Sequence, residues 1–338
     1  MSATITVSIE DLTALVARVL ETHGLAPDAT GIIASLVVAA ERDGVKSHGL
    51  VRLPGYASTM KSGYMNPRAV PKVRDAAPGV VAVDGDNGFA QIALAACRER
   101  LMAKARAQGI AMAALHNTHH FSSLYLDVEP MAEAGFVALT CVNTRSLIAP
   151  GPGARKVLGT SPMGFACPRA GGPPIVWDQA SSVRSFGDVM IAARRGEHLP
   201  EGIAFDKEGK RTTDPKAVLD DGAILSFGGY KGHNIALMIE VLAAALTGGR
   251  LGYEDVSKQF PGAETSHAGQ FMMLIDPAHT AGEGFAERTA MIYERLHASG
   301  AERVPGDRRH AQRETSLREG ITVDAGLYEA AQALLVRG

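Results

Sequence analysis

A chain of 338 residues is long enough for about two domains, and its 46% hydrophobic and 21% charged content is that of an ordinary soluble globular protein. The formal charge of −2, with no block of one sign, speaks against nucleic acid as a partner and against an interaction tail. Cys97, Cys141 and Cys167 share no metal-type spacing, so they read as buried thiols in a reducing compartment, with the cytoplasm as the expected location.

At the start of the chain, no basic stretch precedes an apolar one, so no signal peptide is expected. Ser8-Ile9-Glu10-Asp11 has the form of a capping box, and apolar residues follow at helical spacing through Leu20. Pro27 opens a second helix that runs to Arg42, and a third is expected over 50–61, ended by Gly63 and Pro67. Beyond Pro71 the character changes. Residues 80–83 read as a strand, and Asp84-Gly85-Asp86-Asn87-Gly88 as a turn cluster. An alanine-rich helix over 91–107 stops at Gly109. Short strands are expected over 110–115, 137–142, 163–167 and 175–177, with a helix over 124–133 between the first two.

Residues 151–159 form a glycine-rich connection and 196–213 a polar excursion. The longest strongly apolar helix covers 231–247; its apolar part, 235–246, is broken by Glu240 and too short for a bilayer, so no membrane is expected. A strand over 270–275, a helix over 282–298, a basic loop Asp307-Arg308-Arg309-His310 and a last helix from Asp324 complete the chain. Helices at both ends around a strand-rich middle suggest that the termini meet. The expected units are 1–75 with 285–338, helical, and 76–284, built on the sheet.

Lys46-Ser47-His48-Gly49-Leu50-Val51-Arg52 gathers a hydroxyl, an imidazole and a guanidinium in one short stretch. Imidazole exchanges a proton near neutrality, and a guanidinium fork fits a carboxylate with two parallel hydrogen bonds. The pair suits an enzyme for a small acid; a helix end with a packed histidine and a solvated arginine is the plainer alternative. His116, His119 and His120 lack accompanying Cys or Glu at a recognised spacing, so no metal is expected there. A structural role or a site loop after a strand both stay open.

No dinucleotide fingerprint exists, because Gly151-Pro152-Gly153-Ala154-Arg155-Lys156 ends on lysine, and no P-loop is present. Gly228-Gly229-Tyr230-Lys231-Gly232 suits a phosphate or an ordinary turn equally well. Arg308, Arg309 and Arg313 fit a solvated face or a phosphate clamp, and Asp188 a helix cap.

Together these stretches resemble the malate/L-lactate dehydrogenase family of the second type, which is unrelated to Rossmann dehydrogenases. Ser47-His48-Gly49 with Arg52, His120-Phe121, Gly159-Thr160-Ser161-Pro162, Asp178-Gln179-Ala180-Ser181, Lys231-Gly232 and the closing arginine stretch carry the resemblance in order over nearly the whole chain. The run His119 to Leu124 followed by Asp127-Val128-Glu129-Pro130, together with Gly187-Asp188 and Pro305-Gly306-Asp307-Arg308-Arg309, is similar to one branch. That branch reduces Δ1-piperideine-2-carboxylate and Δ1-pyrroline-2-carboxylate.

The resemblance implies an α/β (α+β), non-Rossmann fold: a mainly antiparallel central sheet flanked by helices, with a helical domain formed from both termini. It also implies a homodimer using NADPH, with NADH weaker, on a cyclic imino acid. Carried over, His48 would donate the proton with Ser47 and Asp188 as relay partners. Arg52, Thr160, Phe186 and Gly187 would hold the substrate. His120, Phe121, Ser122, Ser123 and Leu124, then Asp178, Gln179 and Ala180, would line the cofactor site. Tyr230 and Lys231 would join them, as would Arg308, Arg309, His310, Arg313 and Glu314. Gln179, Ser161 and Phe186 depart from the usual methionine, asparagine and histidine, and Phe186 bears on which ring is preferred.

The residues suit the chemistry independently. Imine reduction puts hydride on C2 and a proton on nitrogen, and an acidic Asp188 suits a centre that becomes cationic. The alternative is an NAD(P)-dependent 2-hydroxy-acid dehydrogenase for malate, lactate or ureidoglycolate with His120 as acid/base; a binding protein without turnover is a third reading.

Overall fold

The computed structural model describes residues 3–151 and 154–336. Met1 and Ser2 of the N-terminal reading, and Pro152 and Gly153 of the glycine-rich connection, lie outside the described residues.

After β1 (Thr4–Val7), α1 (Ile9–Thr22) opens on Ser8, whose hydroxyl accepts the Asp11 N–H, and buries Leu12, Leu15, Val16, Val19 and Leu20 on one face. α2 (Pro27–Arg42) begins on its proline as expected. The expected helix from Leu50 begins as two tight turns, Lys46–His48 and Leu50–Arg52, before α3 (Leu53–Lys61). The buried Glu41 carboxylate accepts the Leu50 N–H at 2.8 Å, and a Cβ on Gly49 would stand 2.2 Å from Glu41 Oε1. Gly49 is therefore the residue that lets the chain turn against Glu41.

β2 (Lys72–Ala77), β3 (Val80–Phe89), α4 (Ala90–Gln108), β4 (Ile110–His119), α5 (Tyr125–Glu133), β5 (Val137–Val142), β6 (Met163–Cys167) and β7 (Ile175–Gln179) follow. Then come α6 (Phe186–Arg195) and a small three-stranded sheet of β8 (Ala204–Phe205), β9 (Arg211–Thr212) and, after α7 (Pro215–Leu219), β10 (Ala223–Ile224). α8 (Tyr230–Glu240) runs on into a π turn, Val241–Ala245, and β11 (His267–Ile275) returns to the main sheet. α9 (Phe285–Ala298), α10 (Asp307–Glu319), β12 (Ile321–Asp324) and α11 (Ala325–Ala333) close the chain.

The main sheet has the order β2-β3-β4-β11-β5-β6-β7, antiparallel throughout except for the parallel β3–β4 pair. The architecture is thus α/β with a mostly antiparallel sheet flanked by helices. β1 pairs with β12, and one core cluster joins Leu12, Val16, Ile33 and Leu53 to Ile321 and Val323.

Two readings need correction. Asp84–Gly88 is no turn, because β3 continues through it. Its register against β4 shifts between Asp84 and Gly88, with Asp86 and Asn87 in the left-handed region at φ 52° and 59°. The basic stretch Asp307–His310 is the first turn of α10 rather than a loop. Among the described residues no helix is long and apolar enough to cross a membrane.

Candidate functional site

The strand directions bring five chain segments to one edge of the sheet. The C-terminal ends of β4, β5 and β7 meet there with the N-terminal ends of β6 and β11. Above that edge lies a cleft of about 800 Å³, closed by the Ser47–Arg52 turns, the start of α6 and the approach to α10. It collects Ser47, His48, Arg52, Thr160, Phe186, Gly187 and Asp188 from the expected substrate side. From the expected cofactor side it collects the five residues 120–124, then Asp178, Gln179, Ala180, Arg308 and Arg309.

Arg52 is half-buried with its Nε fully covered, and this burial lowers its pKa from the usual guanidinium range. Its Nε has no hydrogen-bond partner, and no carboxylate pairs with it among the described residues. An orphaned half-buried cation is costly, so the wall is built to meet an anion. His48 stands beside it, with Ser47 Oγ 3.1 Å from Nδ1. Burial, and then the charge of Arg52, push the imidazole pKa down to about 3, so the ring is neutral in the substrate-free protein. Lys46 Nζ donates to the Thr322 carbonyl at 2.6 Å and ties this turn to β12.

His119 and His120 turn to different partners. His119 Nε2 lies 2.9 Å from Asn87 Oδ1, outside the cleft wall. His120 Nε2 lies 2.9 Å from Asp127 Oδ2, with side chains only 5% and 2% exposed, and Asp127 Oδ2 also accepts from Gln270. A carboxylate thus orients the second cleft imidazole.

Asp188 sits on the rim in a capping box. Its Oδ2 accepts the Ser185 N–H, and Ser185 Oγ accepts the Asp188 N–H at 3.0 Å. Among the described residues no hydrogen bond joins it to Ser47 or His48. A Cβ on Gly187 would stand 3.7 Å from Ser47 Cβ, so the helix start and the Ser-His turn touch through Gly187.

Thr160 donates its N–H to Thr144 Oγ1 at 2.9 Å, and Ser161 holds φ 43°. A left-handed backbone favours asparagine, which is the physical reason asparagine suits that position.

The closing arginines separate. Arg309 Nη1 donates to Asp178 Oδ1 at 2.8 Å, and its guanidinium lies 4.2 Å from the centroid of the Tyr125 ring. Arg313 donates to Asp43 and Glu129, both at 2.6 Å, and His310 Nε2 lies 3.1 Å from Glu129. These ties fasten α10 to α2, α5 and β7. Of the closing arginines, Arg308, Arg309 and Arg313, only Arg308 lines the cleft unpaired among the described residues. His310, Arg313, Glu314, Tyr230 and Lys231 do not line it. Tyr230 is 72% exposed, at the head of a stripe on α8 and beyond that includes Leu237, Val241 and Leu246.

Sequence reasoning passed over Arg145, Trp177, Glu264 and Arg303, all on the cleft wall. Their one signal is position in a loop or strand end beside a sheet edge.

His48, His119 and His267 all have depressed pKa values, about 3, 3 and 4, each mainly through burial. Unfolding lets them bind protons at the ordinary value near 6.5. The unfolded state therefore holds more protons between about pH 6.5 and 4, and stability falls as pH falls through that window. The expected slope is about 1.4 kcal/mol per pH unit for each histidine. Urea titrations at stepped pH check this. A flat profile from pH 7 to 5 would mean that the histidines protonate freely in the native state.

The family model described as malate/L-lactate dehydrogenase matches residues 7–332. The chain is 46% identical over 335 residues to a Delta(1)-pyrroline-2-carboxylate/Delta(1)-piperideine-2-carboxylate reductase of Pseudomonas putida, covering 99% of this chain and 98% of that one. A (2R)-3-sulfolactate dehydrogenase (NADP(+)) of Chromohalobacter salexigens is 38% identical, covering 91% of each. The crystal structure of delta1-piperideine-2-carboxylate reductase from Pseudomonas syringae matches with a TM-score of 0.94 at 46% identity, over 98% of this chain and 99% of that one.

Proposed function

The chain belongs to the malate/L-lactate dehydrogenase family, a family of nicotinamide-dependent oxidoreductases, and from that premise we propose that it is an NADPH-dependent reductase of cyclic ketimine carboxylates. It takes Δ1-piperideine-2-carboxylate and Δ1-pyrroline-2-carboxylate to L-pipecolate and L-proline. The observation that carries this reading is Arg52, a half-buried guanidinium whose covered Nε has no partner, set beside a neutral imidazole in one cleft.

When bound, the reduced nicotinamide supplies the hydride for C2. Arg52 holds the substrate carboxylate through two hydrogen bonds and so fixes which face of the C=N bond is presented. The carboxylate also cancels the charge that repels a proton from His48, so substrate binding raises the basicity of the ring. His48 then delivers a proton to the ring nitrogen, steadied at Nδ1 by Ser47. Asp188, a carboxylate on the rim, favours the nitrogen as it gains positive charge.

The residues present fit a phosphorylated dinucleotide. Arg308 faces the cleft with no acidic partner among the described residues, and it takes the 2′-phosphate. Arg309 keeps β7 and α10 together instead. Homodimer assembly over the exposed α8 stripe, a cytoplasmic location and the two-unit division at 75/76 and 284/285 belong to the same reading.

NADPH oxidation with each cyclic imine, set against pyruvate and oxaloacetate, tests the proposal. Faster turnover of the oxo acids would make the protein a 2-hydroxy-acid dehydrogenase instead. Arg308→Ala is expected to raise KM for NADPH about tenfold and KM for NADH less than about twofold. Arg309→Ala is expected to lower Tm and to weaken both cofactors alike. An equal effect of Arg308→Ala on both cofactors would deny that side chain the 2′-phosphate.

A further inference from the structure

Arg145 stands in the loop directly after β5 and lines the same cleft as Arg52. Its guanidinium lies 4.6 Å from the centroid of the Phe186 ring, and Phe186 packs against the cluster that holds Leu147 and Val189. The ring thus presets the arginine without neutralising it. Among the described residues Arg145 has no carboxylate partner. The charge of Arg145 disfavours that of Arg52 across the cleft. Of the cleft carboxylates, Asp178 is engaged by Arg309, Asp188 accepts the Ser185 N–H in its capping box, and Glu264 forms an ion pair with neither cation, although its charge favours that of Arg52. One substrate carboxylate on Arg52 leaves the second half-buried cation uncompensated.

We propose that the cleft takes cyclic imines carrying a second acid group, which Arg145 holds while Arg52 holds the carboxylate beside the C=N bond. This deepens the reductase reading and rests on it. The second acid takes no part in bond making; hydride still goes to C2 and the proton to nitrogen. Phe186 sets how far from the first carboxylate the second must lie, because it fixes the arginine.

The test compares wild type with Arg145→Leu and Arg145→Lys, each loaded with NADPH. Calorimetry measures binding of pyridine-2,6-dicarboxylate against pyridine-2-carboxylate. Turnover is measured with Δ1-piperideine-2,6-dicarboxylate against Δ1-piperideine-2-carboxylate. Wild type is expected to bind the dicarboxylate about tenfold tighter or more. In Arg145→Leu that ratio falls by about tenfold, and Arg145→Lys restores part of it. Preference of wild type for the monocarboxylate would overturn the proposal. So would an Arg145→Leu variant that weakens both ligands equally or acts mainly on KM for NADPH. Dicarboxylate preference with turnover of neither imine would sink the reductase reading while leaving the second-acid contact standing. Turnover of the monoacid without that preference would do the reverse.

Discussion

Arg52→Met is expected to lower kcat/KM for the ketimine about a thousandfold while raising the Tm of the substrate-free protein by a few degrees. Both effects follow from one fact. The guanidinium is half-buried, its covered Nε is unsatisfied, and among the described residues no carboxylate forms an ion pair with it, Glu264 offsetting its charge only from a distance. In the free protein it therefore costs stability, and an apolar side chain of similar length removes that cost. On the proposed reading the same charge clamps the substrate carboxylate, and its loss would leave the substrate's charge unpaired in the cleft. A third consequence separates this account from simple damage to the fold. The charge of Arg52 is one cause of the depressed His48 pKa, so His48 in Arg52→Met should titrate at a higher pH, readable by NMR of the ring. Thermal denaturation and steady-state kinetics on one preparation check the rest. A variant that loses both activity and stability would show that Arg52 holds the fold together instead.

The parts legible in the sequence were those whose signal is local. The strands Val137–Val142 and Met163–Cys167 match the expected bounds, because apolar runs flanked by polar or turn residues mark them. α1 and α2 announce their starts with Ser8 and Pro27. By contrast, β2 lies on a sheet edge and is mostly exposed, so Lys72–Ala77 carries no alternation to read. β12 is four residues long and exists because β1 pairs with it across the whole chain. α10 is polar nearly all round; what holds it is Arg313 on Asp43 and Glu129, and Arg309 on Asp178, none of them visible from the helix's own sequence. The same logic explains the site. The Ser47–Arg52 turn was readable because its chemistry is concentrated in one stretch. Arg145 was not, because only the strand order brings it to face Phe186.

His48→Asn is expected to lower kcat for imine reduction by about a thousandfold and to leave NADPH binding near wild type. The competing donor is His120, whose Nε2 is held by Asp127 behind the wall. That carboxylate fixes the orientation of the ring, which at first sight recommends His120 as the donor. Its one bonded nitrogen faces Asp127, however, and Asp127 is also committed to Gln270, so the pair is built into the β4–β11 framework. On the proposed reading His48, neutral in the substrate-free protein, gains its proton when a carboxylate covers Arg52, so that the proton arrives with the substrate. This predicts a split in the pH profiles. The His48 ionisation should be absent from the free-enzyme profile of kcat/KM above about pH 5, and should appear in kcat as a fall in rate at higher pH, since kcat reports the substrate complex. Asp127→Asn should then cost about tenfold, through misplacement of the wall, and shift neither limb. If Asp127→Asn instead removes the alkaline limb while His48→Asn leaves it, the proton comes from His120 and His48 only shapes the carboxylate pocket.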